Sequence, residues 1–258
     1  MMYPTIMVGT MVKNSGQWLE KYFQNILNWT YPKEKLRFVF IYGKSTDNSL
    51  EILKKYKNII NMEVYLEPND SALRIGGAQM AASIYNDWKE LLEEDYFLLL
   101  DSDVIFTPNN LIEELMKVKA DIIAPYPYCY GKEYFYDSWI FRIDNKRFSP
   151  HDPPGKGLNI PIKVDSVGTC FLTHKECFLR VPITNPYPNL SFCNNARKMG
   201  YTVVACPYIK IYHEDVLELG HVHNPLPPEY GGYPAPGWVD SKYPVETLGS
   251  IKVEVMEV

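Results

Sequence analysis

The chain has 258 residues, 46% of them apolar, and a formal net charge of −5; this length suits one large domain, or a domain with a modest appendage, around a substantial core. The acidic balance, with no run of Lys or Arg, argues against a nucleic-acid partner, because neutralising phosphates takes a basic surplus. Met1–Thr10 lacks a basic start followed by a long apolar run, no stretch is long enough to span a membrane, and five cysteines show no Cys-x-x-Cys spacing, so the expectation is a soluble, cytoplasmic protein with buried thiols.

Strands and helices alternate through the first half. Thr5–Met11 reads as a buried strand, and Lys13-Asn14-Ser15-Gly16 breaks it. Trp18, Leu19, Tyr22, Phe23, Ile26 and Leu27 then fall on one helical face, with Asn14 and Gln17 as a capping box and Tyr31-Pro32 as the stop. Leu36–Tyr42 is the second strand, followed by a turn at Ser45-Thr46-Asp47-Asn48 and a helix that Asn48 and Glu51 are placed to cap. Met62–Leu66 is a third strand, Gly76-Gly77 opens a helix to about Leu92, and Tyr96–Leu100 is the most apolar strand. Thr107-Pro108 predicts a helix start, with the hydroxyl as cap and proline at the first helical position. Asp121–Ala124 is a further strand. This alternation predicts an α/β fold with a mixed, mostly parallel central sheet flanked by helices.

After Pro125 the texture changes to Tyr, Pro, Gly and Asp, read as functional loops around a short strand at Trp139–Ile143. Strand Thr169–Leu172, helices at Lys175–Leu179 and Asn189–Met199, and closing strands Tyr201–Ala205 and Ile209–Tyr212 follow. From Asn224 onward Pro and Gly dominate until a β-like end at Ile251–Val255. The domain reading is therefore 1–223, with a first half of about 1–125 and a second of 126–223. Residues 224–258 form an arm or lid, a surface for homo-oligomer contacts.

Asp101-Ser102-Asp103 directly follows the most apolar strand, where open α/β sheets place ligands. Two carboxylates on alternate residues there suit one hard cation, Mg²⁺ or Mn²⁺, bridging a diphosphate. The same spacing also fits two solvated acids where the chain surfaces, and Asp-x-Asp is short enough to recur by chance.

The order of segments resembles the GT-A (Rossmann-like) glycosyltransferases, and family 2 in particular. Carrying the likeness are Thr5–Thr10 with Lys13-Asn14, the run from Phe40 to Ser49, Arg74 with Gly76-Gly77-Ala78, and the run from Asp95 to Asp103. It implies a metal-dependent transferase that moves a hexose from a nucleotide-diphosphate sugar to a saccharide, lipid or protein acceptor. By that likeness Thr10, Tyr42, Asp47, Arg74, Asp101 and Ser102 meet the nucleotide sugar, Tyr42 standing where family 2 has an acid beside the base. A second resemblance, to the fungal α-mannosyltransferases that use GDP-mannose, rests on Tyr136–Arg142 and Asp165–Leu172. It places Asp137, Trp139, Arg142 and Gly168 around the sugar. The donor is thus expected to be GDP-mannose or a UDP-sugar.

Family 2 inverting enzymes carry an acidic general base at a stretch that is Pro188-Asn189-Leu190-Ser191 here, with no acid. Asp165 and Asp137 are the available substitutes, since an inverting displacement needs a carboxylate to take the acceptor proton. The missing acid favours the retaining route, in which the leaving diphosphate takes that proton. His213, closing the last strand, is a candidate metal ligand with Asp101 and Asp103, an imidazole suiting Mn²⁺ over Mg²⁺. Arg74 is placed to meet the diphosphate beside a helix amino terminus. His221 and His223 sit two apart in a Gly/Pro segment and read as a solvated turn. Two other functions fit less of the pattern. A sugar-phosphate nucleotidyltransferase wants more glycine than Lys13–Gly16 holds, and a non-catalytic carbohydrate-binding or assembly subunit would have little use for an intact Asp-x-Asp.

Overall fold

The computed structural model describes residues 3–67, 77–138, 140–184, 187–214 and 254–255. In chain order the strands are β1 (Ile6–Val12), β2 (Leu36–Tyr42), β3 (Met62–Leu66), β4 (Tyr96–Leu100), β5 (Val104–Phe106), β6 (Ile122–Cys129), β7 (Arg142–Ile143), β8 (Lys146–Arg147), β9 (Ile162–Lys163), β10 (Cys170–His174), β11 (Val203–His213) and β12 (Glu254–Val255). The α-helices among the described residues are α1 (Gly16–Leu27), α2 (Ser49–Lys57), α3 (Gly77–Leu91), α4 (Leu111–Met116), α5 (Lys175–Arg180) and α6 (Pro188–Lys198).

The main sheet runs β12-β3-β2-β1-β4-β10-β6-β11-β5, with β9 added on β11; β7 and β8 form a separate hairpin. Strands β1, β2, β3, β4, β6 and β11 share one direction, which makes the sheet mixed but mostly parallel. This is the predicted architecture.

Alternate side chains of the central strands enter opposite layers. Ile6, Val8 and Val12 of β1 pack with Leu19, Tyr22 and Phe23 of α1 and with Leu53 and Tyr56 of α2. Met7 joins the other layer, with Trp88 of α3, Phe178 of α5 and Phe192 of α6. The rings of Phe23 and Tyr56 stack at 4.1 Å and lock α1 to α2. Each such fully buried side chain contributes about 1.5–3 kcal/mol from burial. All five cysteines are free and buried, as expected.

Helix caps are where local sequence misleads. Asn14 does not cap α1; it sits at φ +49° and its side-chain oxygen accepts the Thr46 N–H at 2.8 Å. The Gly16 N–H at the start of α1 is taken by Asp47, at 2.8 Å, and the Ser49 N–H of α2 by the same carboxylate rather than by Asn48. Thr107 caps nothing: α4 begins four residues later, and the Thr107 hydroxyl accepts the buried Trp29 indole N–H at 2.7 Å. In each case a tertiary partner outbids the local cap. Of the strand expected at Trp139–Ile143 only Arg142–Ile143 is observed, and the two closing strands are one, β11, irregular between Cys206 and Lys210. Residue Trp139 itself lies outside the described residues.

Candidate active site

Because they run in parallel, β1, β2, β4, β6 and β11 all end on one edge, and antiparallel β10 starts there. The chain around Asp101-Ser102-Asp103 is fixed by backbone bonds on both sides. Asp101 N–H donates to the Thr169 carbonyl at 3.0 Å, and Glu214 N–H donates to the Asp103 carbonyl at 3.0 Å. Ser102 is buried, its hydroxyl 3.0 Å from that of Ser15 in the loop after β1. The sheet therefore brings the loops after β1, β4 and β11 and the entry to β10 to one place, as the switch point of an open α/β sheet does.

Asp103 and His213 meet directly: His213 Nε2 lies 2.8 Å from Asp103 Oδ1. His213 is 2% exposed, and its other nitrogen, Nδ1, is 2.8 Å from the Glu214 carbonyl. A carbonyl only accepts, so Nδ1 carries a proton. In the neutral ring Nε2 would then turn a bare lone pair toward a carboxylate. The pair is stable only with a positive charge between the two atoms, either a proton or a metal ion. Burial resists the charge on His213, but Asp103, reinforced by the Glu214 carbonyl, raises its pKa above the ordinary histidine value. Burial likewise opposes ionisation of Asp103, and His213 overrides it, holding that carboxyl below the usual range. The Tyr136 ring stacks on the imidazole at 3.5 Å and fixes its plane.

Asp101 behaves differently. Burial, then the charge of Asp103, pushes its carboxyl well above the usual range. Among the described residues no three His, Cys, Asp or Glu side chains stand close enough together to hold a metal ion. The expected set of Asp101, Asp103 and His213 is thus assembled only as the Asp103–His213 pair. That pair still fits a divalent cation: two cis donors about 2.1 Å from one ion lie about 3 Å apart, and ions of this class take one or two protein donors plus substrate phosphates. The imidazole's backbone acceptor is the usual support of a metal-bound histidine.

Asp137 is buried beside the pair. Thr169 Oγ1 donates to its Oδ2 at 2.7 Å and Ile140 N–H approaches its Oδ1 at 3.3 Å. Burial nonetheless lifts its pKa to about 7, the Thr169 bond opposing. Thr169 sits at φ +56°, a conformation a β-branched residue rarely adopts, which marks a held, strained corner. Gly168 makes room for it: a Cβ there would lie 2.5 Å from Asp137 Oδ2 and 3.0 Å from Ile140 Cγ2. Gly168→Ala is therefore expected to lower stability by about 1–3 kcal/mol through overpacking, read by urea unfolding, and to displace the Asp137 carboxyl.

The other candidates are placed as follows. Asp165 has both oxygens engaged, Oδ1 by Arg197 at 2.7 Å and Oδ2 by the Asn145 N–H at 2.6 Å; it pins the β7–β8 hairpin to α6. Arg142 is part of that hairpin, and burial lowers its pKa. Thr10 is buried with its hydroxyl 2.7 Å from that of Tyr22, inside the core layer. Tyr42 is 5% exposed and packs in the same layer, its hydroxyl accepting the Ser45 N–H at 3.1 Å, so its ring is not open for stacking. Asp47 is exposed on the carboxyl edge but ties α1 to α2. Burial works against its ionisation, yet bonds from Ser49 and the Gly16 N–H keep its pKa low. Arg74, Trp139, His221 and His223 lie outside the described residues.

Sequence reasoning gave no role to Tyr136, Thr169, Ser15, Tyr85 or Asn189. Asn189 occupies the start of α6 where an acid was sought; its side-chain oxygen accepts the Tyr85 hydroxyl, and its nitrogen approaches Gly168. A tyrosine on α3 bonding an amide about a hundred residues on leaves no local signal.

Residues 7–179 match the family described as glycosyl transferase family 2. Among curated relatives, human procollagen-lysine,2-oxoglutarate 5-dioxygenase 2 is 21% identical over 82% of this chain and 29% of its own length. The mannan polymerase complex subunit mnn9 of Schizosaccharomyces pombe is 21% identical over 76% of both chains. The chain thus spans under a third of the first of these. Among solved structures, S. aureus TarS 1-349 in complex with UDP-GlcNAc superposes with a TM-score of 0.57 at 14% identity, over 82% of this chain and 58% of that one. The mannosyltransferase PcManGT from Pyrobaculum calidifontis, in complex with GDP-Man and Mn²⁺, gives 0.54 at 14% identity, over 82% and 57%. These two share the fold, and the match over residues 7–179 carries the assignment: the chain belongs to glycosyl transferase family 2.

Proposed function

We propose that the chain is a glycosyltransferase that moves a hexose from a nucleotide-diphosphate sugar to an acceptor hydroxyl, with a divalent cation held by Asp103 and His213. The observation that carries this is the buried imidazole whose Nε2 faces the Asp103 carboxylate at 2.8 Å while Nδ1 is held by a backbone carbonyl. A solvated pair of acids at a strand end would need no such histidine. The cation, when bound, would neutralise charge on the departing diphosphate. Mn²⁺ suits the nitrogen donor better than Mg²⁺. Mannose is the sugar we favour, on the likeness to mnn9 and PcManGT.

Asp137 is the proton acceptor in this reading. Asp165 is occupied by Arg197 and Asn145, whereas Asp137 has a pKa of about 7, matched to taking a proton at neutral pH. Thr169 and Gly168 hold its carboxyl in place. An acid/base group so poised supports an inverting displacement and replaces the retaining route that the missing acid before α6 favoured. The division into a donor half at 1–125 and an acceptor half at 126–223 belongs to the same proposal. No helix among the described residues is long and apolar enough to cross a membrane.

The test is release of nucleotide from a panel of GDP- and UDP-sugars with Mn²⁺. GDP-mannose turnover that EDTA abolishes is the expected result. Equal release with and without EDTA from every donor would remove the cation from the account, and no release from any donor would leave the binding-subunit alternative.

A further inference from the structure

The carboxyl ends of β6 and β11 border a cavity of about 380 Å³, walled by Tyr128, Tyr208 and Tyr212. Lys132, Lys156 and Lys210 also line it, against one acid, Glu133. In a chain of net charge −5, three cations and one anion around a single cavity reverse the prevailing sign. Lys156 Nζ donates to the His151 carbonyl at 3.2 Å, and Lys210 Nζ lies 5.4 Å over the Tyr128 ring. The Lys210 charge is therefore held against the ring of a cavity-lining tyrosine.

The far wall is built rather than draped. Gly155, at φ +79°, lets the loop after Phe148 lie against β11, since a Cβ there would meet Pro207 Cγ at 3.0 Å. The Tyr126 hydroxyl bonds the Pro154 carbonyl in the same loop. The cavity lies at the same strand ends as the site: Tyr212 pairs with Tyr128, and the next pair along β11 and β6 is His213 with Cys129.

We propose that this cavity is an acceptor subsite for an anionic saccharide or polyol, a hydroxyl-rich chain bearing phosphate or carboxylate. The lysines meet the anion, and the tyrosine rings and hydroxyls meet the faces and rims of the carrier. This rests on the glycosyltransferase reading and narrows its acceptor.

The experiment uses the full chain and matched probes: ribitol 5-phosphate against ribitol, and galacturonic acid against galactose, titrated by calorimetry. Expected is binding of the anionic member of a pair about tenfold or more tighter than its neutral partner, weakening as salt rises. The two pairs separate a phosphate from a carboxylate ligand. Lys156→Glu/Lys210→Glu is expected to erase the preference. Lys54→Glu/Lys119→Glu, the same charge change on exposed positions elsewhere, is expected to keep it. Thermal melts identify a variant that fails to fold, in which case Lys210→Gln alone is read for a partial loss. Equal binding of charged and neutral probes by the unaltered chain overturns the proposal, as does a preference that survives the cavity variants. Metal-dependent donor hydrolysis by the unaltered chain, with no acceptor present, reports separately on the glycosyltransferase reading.

Discussion

Asp103→Asn is expected to lower kcat/KM for the nucleotide sugar by about 10³-fold, the scale on which removal of a group stabilising developing charge acts. The fold should survive. His213 keeps its Nδ1 proton on the Glu214 carbonyl, and the neutral Nε2 then accepts from the new amide nitrogen instead of facing a carboxylate. Removing the side chain with alanine would strand a buried imidazole, at a cost of a few kcal/mol, and confuse loss of function with loss of fold. The contrast is measured by steady-state kinetics at saturating Mn²⁺ beside thermal melts of the same preparations. An Asp103→Asn chain with near-normal turnover would show that the cation, if used, is held elsewhere.

Asp137→Asn is expected to lower kcat by about 10²–10⁴-fold, the usual worth of a positioned general base, while raising stability at alkaline pH. The second half follows from proton linkage. In the unfolded chain this carboxyl ionises near the ordinary aspartate value of 3.8, and in the folded chain at about 7. Between those values the folded state keeps a proton that the unfolded state has released. Stability therefore falls as pH rises from about 4 to about 7, and the deficit persists above it. The amide carries no charge to desolvate, so the variant should melt higher than the unaltered chain at pH 8 and nearly level with it at pH 4. Wild-type turnover should rise with pH through about 7, a limb the variant lacks. A variant that is both slower and less stable at pH 8 would make Asp137 a structural residue.

How far the sequence could be read depended on the range of the interaction. The strands and helices through β4 and the layer each strand face enters follow from apolar runs and helical spacing, whereas the pairing of β4 with β1 rather than β3 leaves no local signal. Asp103 was legible because it follows the most apolar strand. His213 was visible as a strand-end histidine. What it does there, with Nδ1 held by a backbone carbonyl and Nε2 on Asp103, depends on β11 returning beside β5 and β6. The caps failed where a distant side chain took the donor: Asp47 serves both α1 and α2, displacing Asn14 and Asn48. The family likeness assigns Tyr42 and Thr10 to the nucleotide, yet alternation points both into the layer of α1. Asp165 and Asp137 looked alike in sequence, and only their partners, Arg197 and Thr169, tell the occupied carboxylate from the poised one.

The account's centre is the Asp103–His213 pair as the cation's seat, and pulsed electron paramagnetic resonance of bound Mn²⁺ tests it most directly. With Mn²⁺ and GDP or UDP present, the account predicts a ¹⁴N coupling from one imidazole together with a ³¹P coupling from the diphosphate. In His213→Gln the nitrogen signal alone should vanish. A bound Mn²⁺ that shows ³¹P but no ¹⁴N coupling in the unaltered chain would contradict it.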